Sequence, residues 1–198
     1  MTRVYSRAVA HLSMVAIPLA FGGCVMARPL IELIFGRAYV DAAPATSVVV
    51  LSAVFVIPGW IMVATAYALG QERKVALIWG VALVGNGLAN AFVIPAFGIV
   101  GAASASLVAS AFTFIGVRFL LSRAGVATSA VALAGKPVLA GAVMVAVVWP
   151  LRGASTGLAI AVGGIVYLVV LLLLRPFTPE DRTMIRTILR PRAGATDD

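Results

Sequence analysis

Acidic side chains are scarce in this sequence. Seven Asp and Glu occur in 198 residues: Glu32, Asp41 and Glu72 sit between long apolar runs, and the other four lie beyond residue 179. No run therefore holds the central carboxylate that ion-driven pumps keep at membrane depth. No pair of carboxylates is placed for general acid–base work. There is one cysteine, Cys24, and one histidine, His11. One thiol cannot close an internal disulfide, and the two residues cannot build a structural zinc site of about four ligands. A phosphate-binding glycine loop with its lysine and a Ser–His–Asp set are also missing. The expectation is a chain with no enzymatic activity, no metal and no cofactor.

Apolar residues make up 62% of the chain and charged ones 11%, against about 45–50% and about 25% in soluble domains. A soluble fold of this length could not hide so much apolar surface, so lipid is its expected solvent. The net charge of +8 lies between the apolar runs and in the C-terminal tail. That distribution suits a membrane protein and not a nucleic-acid binder.

A hydrocarbon core of about 30 Å takes about 20 helical residues. Six runs qualify: 8–27, 43–69, 75–95, 99–121, 134–151 and 156–174. The fifth is the shortest after Pro137, and Lys136 must snorkel to the interface. The runs are continuous and do not alternate, which excludes a β-barrel. The fold class read here is all-α integral membrane: a bundle of six transmembrane helices plus a C-terminal amphipathic helix. Residues 1–123 form a four-helix core, 124–175 carry the last two spans, and 176–198 form a cytoplasmic amphipathic helix and disordered tail. In that tail Thr178 caps the helix, Pro179 follows, Met184, Ile185, Ile188 and Leu189 make an apolar face, and Arg182, Arg186 and Arg190 make the other. The first run has a basic start, but it continues past Cys24 and reads as a span, with Cys24 a small packing residue.

Within the spans, Pro18 and Pro58-Gly59 are hinge candidates, since a mid-helix proline removes a hydrogen bond. They fit either a cavity-lining bend or plain kinked packing. Gly101, Ala105 and Ala109 share one helix face at a spacing of four, and such small residues let helix backbones approach closely. Asn86 and Asn90 are also four apart, and amides in lipid need partners. With Thr65 they either line a polar cavity or bond a neighbouring helix. Arg118 is the remaining cavity candidate, with a plain interfacial role as its alternative.

Three segments carry a family resemblance. They are Arg28-Pro29-Leu30-Ile31-Glu32-Leu33-Ile34-Phe35-Gly36 with Tyr39 and Ala42-Ala43; Ala66-Tyr67-Ala68-Leu69-Gly70-Gln71-Glu72-Arg73; and Asn90 through Ile94-Pro95-Ala96-Phe97-Gly98-Ile99-Val100-Gly101-Ala102-Ala103. In the last, Pro95 is expected to end a helix and Gly98 to permit a tight turn. Residues 5–123 resemble the C-terminal half of polysaccharide-biosynthesis, lipid-linked oligosaccharide flippases, of the superfamily that also holds the multidrug-extruding transporters. The resemblance implies helices nine to fourteen of a 14-helix scheme whose two lobes rock around a central cavity. It implies transport of an undecaprenyl-pyrophosphate-linked sugar across the cell (inner) membrane, with the last two helices forming an apolar groove for the lipid tail. The implied partners are membrane lipids, the polyprenyl-linked substrate, and a separately encoded N-terminal lobe or a second copy of the chain. The first eight helices of the scheme have no counterpart here, so a C-terminal fragment, a split gene product or a misassigned start is expected. The alternatives are half of a multidrug antiporter and a non-transporting remnant or accessory subunit.

Six spans place twelve of the fifteen Lys and Arg on one side and only Arg28, Arg37 and Arg152 on the other. Under the positive-inside rule the richer side, with both termini, is cytoplasmic. Reporter fusions at Gly36 and Arg152 are expected to read outside, and fusions at Arg73 and Asp198 inside. An outside signal at Asp198 would rule out this topology.

Overall fold

The computed structural model describes residues 2–126, 130–151, 153 and 155–174. The expected amphipathic helix and tail lie outside the described residues. Helix α1 spans Thr2–Phe35, and a 3-10 segment Arg37–Ala42 follows. Then come α2 (Ala43–Leu51), α3 (Ala53–Ala68), α4 (Glu72–Arg123), α5 (Ala130–Leu151) and α6 (Thr156–Leu173). No strand occurs among the described residues. Four helical stretches are long and apolar enough to cross a membrane: Val4–Phe35, Arg37–Ala68, Glu72–Arg123 and Thr156–Leu173; Gly135–Leu151 is apolar but shorter.

Several boundaries differ from the sequence reading. Helix α1 is 34 residues long, about 51 Å at 1.5 Å per residue, and it runs through Pro29 to Phe35. The run 43–69 is two helices, interrupted at Ser52, whose Oγ donates to the Val49 carbonyl at 2.6 Å. Pro58 is buried inside α3 rather than at the interruption. Helix α3 ends at Gly70, where φ is 67°. That left-handed conformation lets the Gln71 N–H reach the Ala66 carbonyl at 3.0 Å and satisfies a terminal acceptor.

Helix α4 is two antiparallel arms. At Gly98 the backbone has φ 57° and ψ −141°, a combination essentially confined to glycine. In a straight helix Ile78 and Gly116 would lie about 57 Å apart. Here a Cβ built on Gly116 would meet the Ile78 side chain at 3.0 Å. Pro95 does not end the first arm, which stays helical to Phe97, so the expected turn at residues 96–98 reduces to one residue.

Helix α1 is central and packs on α2, α3, α5 and α6, while α4 packs on α2 and α3. Two apolar clusters hold this arrangement. One joins Tyr5 and Val9 of α1 to Met62 and Ala66 of α3 and to Val75 and Leu121 of α4. The other joins Ile17 and Met26 of α1 to Met144 and Val148 of α5 and to Ala159 and Leu171 of α6. Pro18 has no N–H to offer the Met14 carbonyl one turn back. Tyr167 on α6 supplies the missing donor, its hydroxyl lying 2.7 Å from that oxygen. Pro18 thus marks a point where α6 is tied to α1.

Gly101 faces the first arm of α4. A Cβ there would lie 2.6 Å from Val93 Cγ1 and 2.8 Å from the Val93 carbonyl oxygen, and backbone cannot move aside as a flexible side chain can. Gly101→Leu is expected to destabilise the bundle in detergent by about 1–3 kcal/mol, the usual range of overpacking. Unchanged thermal unfolding of the variant would count against this close contact.

Candidate functional site

A lateral groove of about 350 Å³ runs between α3 and the two arms of α4. Gly59, Trp60 and Val63 of α3 form one wall; Trp79, Ala82 and Asn86 of the first arm and Ser106, Ala109, Ser110 and Thr113 of the second form the rest. Phe55 and Phe114, with ring centroids 5.7 Å apart, join α3 to the second arm. Trp60 and Trp79 are 64% and 40% exposed, so both rings are accessible from the groove side.

Two of the three hydroxyl groups here have already spent their protons. Ser110 Oγ donates to the Ser106 carbonyl at 2.9 Å, and Thr113 Oγ1 to the Ala109 carbonyl at 2.9 Å. Such back-bonding inside a helix makes Ser and Thr tolerable in lipid without a partner helix. The amides are different. The Oδ1 atoms of Asn86 and Asn90 are buried and accept no hydrogen bond from protein. Asn86 also lines a second groove of about 440 Å³, with Gly85, Val93, Ala105 and Phe112. It therefore sits on the seam between the arms, with open space on either side.

The structure brings together only part of the sequence-predicted set. Asn86, Gly59 and Ala109 line the first groove, and Ala105 and Ala109 line the second. Asn90 lies one turn nearer Gly98 and lines neither groove. Thr65 donates to the Ile61 carbonyl at 2.8 Å and is away from both. Arg118 is half-buried beside Val117 and is not in a groove wall. Pro58 is buried one residue from Gly59, and Pro18 lies in α1. Gly98 makes the reversal and Gly101 the tight contact beyond it.

Sequence reasoning missed the two tryptophans and a basic cavity. Lys74, Arg123 and Gln71 line a space of about 380 Å³ at the end of the hairpin away from Gly98. The Arg123 guanidinium stands 4.4 Å from the Phe119 ring centroid, a cation–π contact that fixes its direction. The two cations are 49 positions apart in sequence, and only the reversal at Gly98 makes them neighbours. Among the described residues no group of three or more His, Cys, Asp or Glu could hold a metal ion. The groove lining can offer aromatic faces and hydroxyls, and the separate basic cavity positive charge.

An enclosed amide oxygen without a donor costs about 1–3 kcal/mol. Asn86→Leu keeps the branching of the side chain, adds bulk that the adjoining grooves can take, and removes the penalty. Its expected outcome is equal or higher thermal stability of the purified chain in detergent, by up to about 1–3 kcal/mol. A clear loss of stability would mean that the amide holds the hairpin together. No protein-family model, no curated protein and no solved structure matches this chain.

Proposed function

We propose that the chain is the C-terminal half of a membrane flippase that moves undecaprenyl-pyrophosphate-linked sugars or oligosaccharides across the inner membrane for polysaccharide export. The observation that carries the reading is the lateral groove: a mainly apolar channel with two tryptophans and a few hydroxyls on its walls, on helices apolar enough to cross a membrane. A sugar head group can use such a wall. The C–H faces of its rings can lie on Trp60 and Trp79, and its hydroxyls can bond the exposed Ser106. The lipid tail stays in the bilayer through the open side. Lys74 and Arg123, at the end of the same hairpin, supply positive charge for a pyrophosphate. Six spans account for the helices, with α2 and α3 together forming one span and the arms of α4 forming two. The charge bias puts both termini in the cytoplasm.

Alternating access needs two lobes facing each other across a cavity. The groove is half of such a cavity, so the 198-residue chain acts with an N-terminal lobe or a second copy. The purified chain, reconstituted in liposomes with a fluorescent polyprenyl-pyrophosphate sugar, is expected not to flip it as a monomer and to flip it once the complementary lobe is supplied. Flipping by a demonstrably monomeric chain would overturn the half-transporter reading. Proton-coupled efflux of an organic cation by the assembled lobes, with no sugar-lipid movement, would favour the antiporter alternative.

A further inference from the structure

We propose a lipid-headgroup site at the end of the bundle that carries Gly36: the cavity between α1, the 3-10 segment, α2 and α5 takes a phosphoethanolamine headgroup, with the phosphate on Arg28 and the ammonium on Asp41. The proposal does not rest on the flippase reading.

Four charged side chains of described residues stand at this end: Arg28, Glu32, Arg37 and Asp41. Two of them neutralise each other, since Arg37 Nε donates to Glu32 Oε1 at 2.8 Å. That leaves Arg28 and Asp41. Both line one cavity of about 510 Å³, yet no ion pair joins them among the described residues. Its other walls include Val25, Val40, Pro44 and Trp149. A cation and an anion thus stand on an otherwise largely apolar cavity without satisfying each other.

The depth of the cavity selects a lipid. Phe35 and Tyr39, with ring centroids 6.2 Å apart, are exposed at this end, as is Trp149. Exposed aromatic rings at the ends of membrane helices mark the headgroup level. A cavity at that level meets headgroups at high local concentration, with its apolar walls against the glycerol and upper acyl chain. The charges select the headgroup. A planar guanidinium pairs with two phosphate oxygens. The carboxylate on another wall repels a purely anionic headgroup and accepts from a donor cation. A primary ammonium brings three N–H donors, whereas a quaternary one brings none.

The test uses the full chain in detergent and native mass spectrometry with equal amounts of phosphatidylethanolamine, phosphatidylcholine and phosphatidylglycerol. The wild-type chain is expected to hold phosphatidylethanolamine roughly tenfold more tightly than phosphatidylglycerol, the size of one charge-assisted hydrogen bond. Asp41→Asn is expected to abolish that preference, Asp41→Glu to keep it, and Arg28→Gln to lose the bound phospholipid, all with unchanged helix content by circular dichroism. Equal retention of the three lipids by the wild-type chain would overturn the site, and this comparison does not depend on how any variant folds. A preference that survives Asp41→Asn would overturn the role of Asp41. Displacement of the lipid by soluble phosphoethanolamine at equal concentration would overturn a lipid as the occupant.

Discussion

In hydrocarbon there is no water to bond a backbone group, so every N–H and C=O must find its partner inside the protein. Proline is where this constraint is tested. The Met14 carbonyl, left without a donor by Pro18, lies on the buried side of α1, and the Tyr167 hydroxyl reaches it across 153 positions of sequence at 2.7 Å. An unsatisfied buried acceptor would cost about 1–3 kcal/mol, so this bond helps to fix the height and rotation of α6 against α1. A second cross-helix contact is shared: the Ser47 hydroxyl lies 3.0 Å from both the Cys24 carbonyl of α1 and the Ala43 carbonyl of its own helix. The central helix is therefore held by polar contacts on both flanks, and the apolar clusters pack around those fixed points.

Lipid tails are as apolar as leucine, so close packing rather than water exclusion must hold helices together. Three of the interfaces accordingly have a glycine at a close approach. A Cβ on Gly23 would come within 2.6 Å of Val50 between α1 and α2, on Gly141 within 2.8 Å of Ile17 between α5 and α1, and on Gly163 within 2.8 Å of Val148 between α6 and α5. The α4 arms repeat the device at Gly101 and Gly116. Neighbouring Gly22 and Gly23 serve two partners, one facing Met144 and the other Val50. The large side chains that face outward, such as Leu83, Phe92 and Leu173, lie on helices long and apolar enough to cross a membrane and suit contact with acyl chains.

That apolar helices fill the chain was legible from the length of the apolar runs, and the reversal at Gly98 was legible because a glycine three residues after a proline between apolar runs has few other uses. The interruption at Ser52 was not, since a serine bonding its own helix leaves no mark on the hydropathy pattern. Nor was the continuation of α1 through Pro29: a charge at Arg28 followed by proline reads as a helix end. In the candidate site, Asn86 and Asn90 were legible as amides that lipid would not leave alone, and their register made them share a face. The groove itself was not. Trp60 and Trp79 sit on helices whose neighbours are decided by the fold, and Lys74 and Arg123 each look like ordinary interfacial charges until the hairpin brings them to one cavity. Arg118, the cation that sequence position favoured, does not line the groove, whereas its neighbour Val117 does.

Polarity is treated differently at the two sides of the bundle, and the difference locates the chemistry. On the α5–α6 side the buried hydroxyl of Tyr167 is bonded and small residues close the interface. On the α4 side the arms leave a groove on each face of their seam. The Ser110 and Thr113 hydroxyls there are satisfied by their own helix, so they sit in a mainly apolar groove at almost no energetic cost. The amides of Asn86 and Asn90 have no such local solution, and their oxygens stay without donors. Leucine at those positions would have the same branching without that cost. The amide oxygens stay enclosed between the arms, and the space along the seam is lined instead by tryptophan faces and the exposed Ser106.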